Sequence, residues 1–322
     1  METAIVPQPT AALATPAAID ARVKDYMQHA KAANTVKAYR QDWADFVAWC
    51  HAYDVAALPA TPETVARYLT ARAESVKVST LQRRLSAISQ AHTAKGLPRF
   101  SVLDEPLRSV WAGIRRIHGV AQQGKAPAVT ADIKAMVAQL PESLLGLRDR
   151  ALLLVGFAGA FRRSELVGLT RTDVQFTSDG LTIRLRRSKT DQEGAGRVVG
   201  IPYGSHRETC PVRSLQAWLE ASGIEDGALF RAINRHGHIQ PGQLSDKAVA
   251  LIVKRWAEAA GLDAAQYAGH SLRAGLATAA AQAGVSERVI MAQTGHKSTD
   301  MVRRYIREGS LFRENAAAEV GL

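Results

Sequence analysis

A mainly α protein of two domains, the first all-helical and the second mixed α+β with a small antiparallel sheet, is the fold that the sequence predicts. Three observations carry it. Apolar residues recur at steps of three and four through residues 20–119, a stretch without periodicity (VAQQGKAP) interrupts at 120–127, and the period switches to two at Leu181–Arg186. With 322 residues the chain is long enough for two cores.

The elements follow in order. Val36, Tyr39, Trp43, Phe46, Val47 and Cys50 form one buried helical stripe. Thr61-Pro62 is an N-cap and N1 pair opening a second helix with Val65, Tyr68 and Leu69 inward. A third helix carries Leu81, Leu85 and Ile88 and stops at Gly96; a fourth starts near Asp104 and carries Leu107, Val110, Trp111, Ile114 and Ile117 as far as Gly119. Residues 1–19, rich in Ala, Pro and Thr, are expected to be a disordered tail; they lack the basic residues of a secretory or transit leader. Residues 120–127 are expected to link the domains. Beyond them helices are predicted near Thr130–Leu140 and Leu147–Phe157, then strands at Val174–Phe176, Leu181–Arg186 and Val198–Pro202. The first two strands are joined by Ser178-Asp179-Gly180, and the last two by the polar loop 188–197. Helices resume at Pro211–Ala221, Ser245–Ala260 and Ser271–Ala283.

Composition excludes several classes. Cys50 and Cys210, far apart in sequence, form neither a disulfide framework nor a zinc-finger spacing, so a reducing compartment is expected. The longest apolar run, Ala151–Phe161, falls well short of the ~20 residues that cross a bilayer. The net charge of +11 is spread over both halves: sixteen basic against ten acidic residues up to position 125, and 25 against 20 beyond it. Such an even excess suits two domains facing one polyanion, DNA or RNA, although a basic surface also serves solubility. Arg83, Arg84, Arg115 and Arg116 lie off the apolar stripes and are candidates for phosphate contact, or for ordinary solvated helix faces.

Three short motifs carry chemistry. Arg162 and Arg163 follow the apolar run directly, and Glu165 lies three residues from Arg162, as a structural ion pair or a braced anion-binding group would. His270-Ser-Leu-Arg273 puts an imidazole and a guanidinium on one face of a helix start, one able to move a proton and the other to fork onto phosphate oxygens. The segment from Thr294 to Tyr305 (TGHKSTDMVRRY) contains a Gly-His turn, a cap at Ser298 or Thr299, and a helix ending on Tyr305. That tyrosine is either a packing residue or, given cationic company, a nucleophile.

The ordered set of Arg, strand-loop Lys, His-x-x-Arg, Gly-His and then Tyr nine residues after that His resembles the tyrosine recombinase (phage integrase) family. The ending Val-Arg-Arg-Tyr-Ile-Arg is similar to its Cre-like members. The resemblance spans roughly residues 20–322, with specific motifs in the second half. It implies a helical core-binding domain at 20–119 and a catalytic domain at 128–322. It also implies a site-specific DNA recombinase that cleaves and rejoins strands through a 3′-phosphotyrosyl intermediate. Arg162, Arg273 and His296 would hold the scissile phosphate, Tyr305 would attack it, His270 would assist proton transfer, and Lys189 would protonate the leaving 5′-oxygen. Glu165 would support Arg162, and Arg163 and Arg187 join the candidate DNA contacts. Ala274-Gly275 stands where many members have His after the second arginine.

The family chemistry requires no metal and no cofactor, because cationic donors spread around the equatorial oxygens can stabilise the transition state. The implied partners are double-stranded DNA and a homo-tetramer on two DNA sites. Leu311, Phe312, Ala316 and Val320 would form a C-terminal segment exchanged between protomers. The short lead-in implies work on core sites alone, and a cytoplasmic, nucleoid-associated setting is expected. A type IB-like topoisomerase and a DNA-binding regulator without catalysis are the competing readings.

Overall fold

The computed structural model describes residues 15–120, 124–186 and 196–310. Several expectations therefore lie outside the described residues: the tail before residue 15, Arg187, Lys189 and most of the polar loop, and the C-terminal segment with Leu311, Phe312, Ala316 and Val320. The chain divides into two compact units between residues 122 and 123. Among the described residues no helix is long and apolar enough to cross a membrane.

The first unit consists of α1 (Pro16–His29), α2 (Ala33–Ala52), α3 (Pro62–Ala73), α4 (Val78–Thr93) and α5 (Leu107–His118). The apolar stripes read from the sequence close one core of Phe46, Trp49, Tyr68, Leu69, Leu81, Leu85, Ile88, Trp111 and Ile114. Thr61 caps α3 as expected, its hydroxyl accepting from the Thr64 N–H at 3.2 Å with Pro62 in the first turn. The same chemistry at Thr15-Pro16 opens α1, so residues 16–19 are helix rather than the expected disorder.

Two candidate DNA contacts in this unit, Arg83 and Arg84, are ion-paired within it. Arg83 forks onto Asp42 at 2.7 and 3.0 Å, and Arg84 bonds Asp45 at 2.7 Å and the Tyr68 hydroxyl at 3.0 Å, with only 13% of its side chain exposed. Both guanidiniums are already matched by carboxylates from α2, which locks α4 to α2 and leaves little charge for a phosphate. Arg115 and Arg116, in the last turn of α5, are exposed.

The second unit contains α6 (Thr130–Ala138), α7 (Leu144–Ala158), α8 (Arg163–Gly168), β1 (Val174–Phe176), β2 (Gly180–Leu185), β3 (Arg197–Pro202), α9 (Pro211–Ser222), β4 (Arg231–Ile233), β5 (Ile239–Gln243), α10 (Asp246–Ala259), α11 (Ser271–Gln282), α12 (Glu287–Thr294) and α13 (Thr299–Ser310). The predicted antiparallel sheet has the order β1-β2-β3, with Ile183 opposite Val174 and Val199, and Leu181 opposite Ile201. A second ladder, β4 with β5, is an addition: three- and five-residue strands around an Asn234-centred turn carry no alternation to read. α7 is buried on all sides, as its apolar run requires, and carries a buried Arg148–Asp149 pair in its second turn. Asp149 accepts from Arg148 at 2.6 and 2.9 Å and from Trp256 Nε1 at 2.8 Å, which satisfies the charge.

The expected linker is shorter than 120–127. Lys125 Nζ and the Ala126 N–H donate to the carbonyls of Ala265 and Gln266, and the Ala128 N–H donates to that of Ser271, so this stretch is laid along the start of α11. Gly275 makes that approach possible, since a Cβ there would sit 1.8 Å from the Ala128 carbonyl oxygen. Gly275→Ala is expected to destabilise the protein by at least about 3 kcal/mol, because backbone on both sides has to move. A urea midpoint that reports a change below about 0.5 kcal/mol, the range of neutral surface substitutions, would show that this contact is not tight.

Candidate active site

Arg162 is the N-cap of α8, and its position is fixed from both ends. The Glu165 carboxylate accepts from the Arg162 backbone N–H at 2.9 Å and from its Nη1 at 2.6 Å, and Glu165 is buried. The expected brace is therefore present, built as a helix cap that aims the guanidinium. The turn before it is sharp: Ala160 is buried at φ +48, a left-handed conformation unusual for a residue with a side chain. Its carbonyl, turned inward, accepts from Arg273 Nη1 at 2.8 Å.

Arg273 lies in the first turn of α11 and is fully buried. Its Nη2 is 3.0 Å from Nε2 of His296. Arginine only donates, so this nitrogen of His296 is the acceptor and the ring proton resides on Nδ1. Nδ1 then donates to the Thr294 hydroxyl at 2.7 Å, which in turn donates to the Ile290 carbonyl at 2.7 Å. Thr294, at the end of α12 and without an expected role in its motif, thus sets the tautomer of His296. Burial first, then the charges of Arg273, Arg162, His270 and Arg197, hold the His296 pKa down at about 4.

That shift has a sign. Between pH 6.5, the ordinary imidazole value, and about 4, the unfolded chain binds a proton that the folded protein refuses. Stability is therefore full above 6.5 and falls as pH drops toward 4, by roughly 3 kcal/mol from this residue. Urea unfolding at pH 7 and pH 4.5 should show that loss in the wild-type protein and a smaller one in His296→Asn. An identical loss in both would mean that other groups carry it.

Gly295, left-handed at φ +66, reverses the chain after α12, and α13 then brings Tyr305 back. Spacing along the sequence separates His296 from Tyr305, but this turn puts their ring centroids 6.1 Å apart. Tyr305 is buried among Ala274, Ala277, Ala281, Ile290 and Val302. Its hydroxyl lies 3.3 Å from Nε2 of His270, the N-cap residue of α11, within reach for proton transfer. The structure therefore brings Arg162, Glu165, His270, Arg273, His296 and Tyr305 together. Arg163 is outside that group, half-exposed and paired with Asp246 at 3.2 Å.

Arg197, which sequence reasoning missed, lies within electrostatic reach of Arg162, Glu165, Arg273 and His296. Its signal was parity, because it shares the inward face of β3 with Val199 and Ile201. With three arginines opposed, among the described residues, by one carboxylate, Glu165, the cluster is a cationic cradle.

The phage integrase family model matches residues 129–310, and the N-terminal SAM-like domain of phage integrases matches residues 23–94. The chain belongs to the phage integrase family of tyrosine recombinases. An integrase/recombinase XerD homolog of Selenomonas ruminantium is 45% identical, over 92% of this chain and 87% of that protein. Recombinase cre of Escherichia phage P1 is 27% identical, over 83% and 81% respectively. Among solved structures, a lambda integrase (75–356) dimer bound to a COC′ core site has a TM-score of 0.57 at 18% identity, covering 89% of this chain and 93% of that one. XerH recombinase in a post-cleavage complex with palindromic difH gives 0.57 at 18%, covering 79% and 70%. This tyrosine recombinase is an enzyme of site-specific DNA recombination, cleaving DNA and transferring strands.

Proposed function

We propose that Tyr305 is the nucleophile of this recombinase and that Arg162, Arg273 and His296 hold the scissile phosphate. The observation that carries the reading is a tyrosine hydroxyl 3.3 Å from an imidazole nitrogen, in the same cluster as the Arg273–His296 and Arg162–Glu165 pairs. The phenolic oxygen attacks phosphorus, its proton passes to Nε2 of His270, and the bond from phosphorus to the 5′-oxygen breaks. Lys189 supplies the proton that the leaving 5′-hydroxyl needs. The products are a 3′-phosphotyrosyl link and a free 5′-end, and a second 5′-hydroxyl reverses the step without ATP. His296 cannot donate through Nε2 while that atom accepts from Arg273. A phosphate drawn into the cradle raises its pKa, so that it takes up a proton and becomes a third donor.

Residues 20–119 act as the core-binding domain on double-stranded DNA, with Arg115 and Arg116 contacting phosphates. It functions as a homo-tetramer on two DNA sites. An apolar groove of about 330 Å³ supports this, lined by Phe157, Pro202, Leu276, Ala280, Val285 and Val289, with Val285 and Val289 more than one-third exposed. Leu311 and Phe312 of a neighbouring protomer have the chemistry to fill it. Truncation after Ser310 should then leave single-site binding intact and abolish the tetramer in sedimentation of the protein–DNA complex; a tetramer that survives rejects this contact.

The decisive experiment uses a nicked duplex built on the sequence that the protein selects from a random DNA pool, incubated in EDTA and run on a denaturing gel. A covalent protein–DNA band is expected, with the DNA recovered on a peptide containing Tyr305. Binding without any band would favour a DNA-binding regulator.

A further inference from the structure

Arg197 occupies the first position of β3, opposite Leu185 at the end of β2. Its guanidinium lies where a side chain on Gly295 would stand, with Cζ and Nε each 2.9 Å from the position of a Cβ there. Gly295 is thus required twice, for its left-handed backbone and for the room it leaves to Arg197. Arg197 Nη1 donates to the Gln293 carbonyl at 2.8 Å, and the Gln293 side chain donates to the carbonyls of Ala158 at 2.8 Å and Gly200 at 3.2 Å. The end of α12, which carries Thr294 and His296, is in this way held to β3 and α7.

These bonds leave part of the guanidinium unaccounted for. Among the described residues Arg197 Nη2 is buried and has no hydrogen-bond partner, and Nε of Arg273 is in the same condition. A buried donor without an acceptor costs about 1–3 kcal/mol, and a charged one more, so it persists where something outside the chain supplies the acceptor. Burial lowers the pKa of Arg197, Glu165 raises it, and Arg162 lowers it again. Glu165 is committed to Arg162, so it does not supply a partner to Arg197.

We propose that Arg197 is a third arginine of the phosphate site, its Nη2 N–H reserved for a non-bridging oxygen of the DNA phosphate that Tyr305 attacks. The proposal rests on the assignment of Tyr305 as nucleophile and adds to it a substrate contact from the sheet side. Arg162 comes from the start of α8, Arg273 from α11, and Arg197 from β3, so the phosphate is approached from three elements.

The test compares wild type, Arg197→Gln and Arg197→Lys in single-turnover adduct formation on the selected nicked duplex, with the scissile phosphate either natural or replaced by a methylphosphonate. The methyl group removes the negative charge that a guanidinium would neutralise. On natural DNA, Arg197→Gln is expected to slow adduct formation about 100-fold, with DNA affinity within about threefold, since one phosphate contact among many is lost. On the methylphosphonate the deficit should shrink to less than about tenfold, because the neutral centre has less need of the cation. Arg197→Lys, which keeps the charge and loses the fork, is expected to fall between the two on natural DNA.

Wild-type rate in Arg197→Gln, or a deficit equally large on both substrates, would overturn the proposal; the second outcome would make Arg197 a support of the turn alone. If melting shows that the Gln variant does not fold, the same comparison on Arg197→Lys decides. Failure of the wild-type protein to form any adduct would instead reject the assignment of Tyr305, which keeps the two readings apart.

Discussion

Substituting Tyr305 with phenylalanine is expected to eliminate the covalent protein–DNA adduct and all strand transfer, with DNA affinity unchanged within about twofold. The change removes one oxygen and keeps the ring. Packing against Ala274, Ala277 and Val302 survives, and the 3.3 Å contact with His270 is lost. A single hydrogen bond of this kind contributes about 1 kcal/mol, too little to unfold the domain. Affinity for DNA comes from cations and the release of counterions, none of which the phenol supplies. Rate and binding should therefore separate completely. A gel-shift titration beside the denaturing gel checks both at once. A residual adduct in Tyr305→Phe would require a second nucleophile, whereas unchanged biological activity without any adduct in either protein would indicate a regulator.

Why the Arg162 and His270–Arg273 motifs could be read from sequence, and Arg197 could not, has a physical explanation, whereas Tyr305, in the middle of α13, stood out only through the resemblance to the family. The first-named groups sit at helix ends, where local chemistry writes the structure: Glu165 three residues from Arg162 forms a cap, and His270 and Arg273 share the first turn of α11. Helix stripes and the two-residue period of β2 are equally local, and the cores of both units follow them. What could not be read depends on partners distant in sequence. Arg83 and Arg84 looked like free surface cations because Asp42 and Asp45 lie about forty residues away, on a helix whose facing was unknown. Arg197 looked like the end of a polar loop, and only the return of α12 shows it under Gly295. The proton on His296 is a third example, since it follows from Arg273 on one side of the ring and Thr294 on the other. α1 has a different reason: its Thr15-Pro16 cap is local, but the Ala-, Pro- and Thr-rich sequence around it carries no apolar stripe to mark a helix start.

Arg273→Lys carries the second large expected effect, a loss of about 1,000-fold in the rate of adduct formation near pH 8. The wild-type guanidinium is buried and its pKa is lowered to about 10, by burial first and then by Arg162, so it stays charged at working pH. It also spans two acceptors that a single ammonium cannot hold in the same fork, the Ala160 carbonyl and His296 Nε2. A lysine begins near 10.4 in water, and the same burial and neighbouring charges push it further down, toward the working range. The depressed group is charged below its pKa and neutral above it. The variant should therefore recover relative to wild type as pH falls from 8 to 6.5, while wild type shows no such gain from this position. The ratio of the two rates across that range reports what position 273 contributes, directly and through the charge it places beside Tyr305 and His296. A ratio that does not move with pH would mean that the defect is loss of the fork alone, with the charge intact. A variant as fast as wild type would remove Arg273 from the phosphate site and leave it as the tie between α11 and the Ala160 turn.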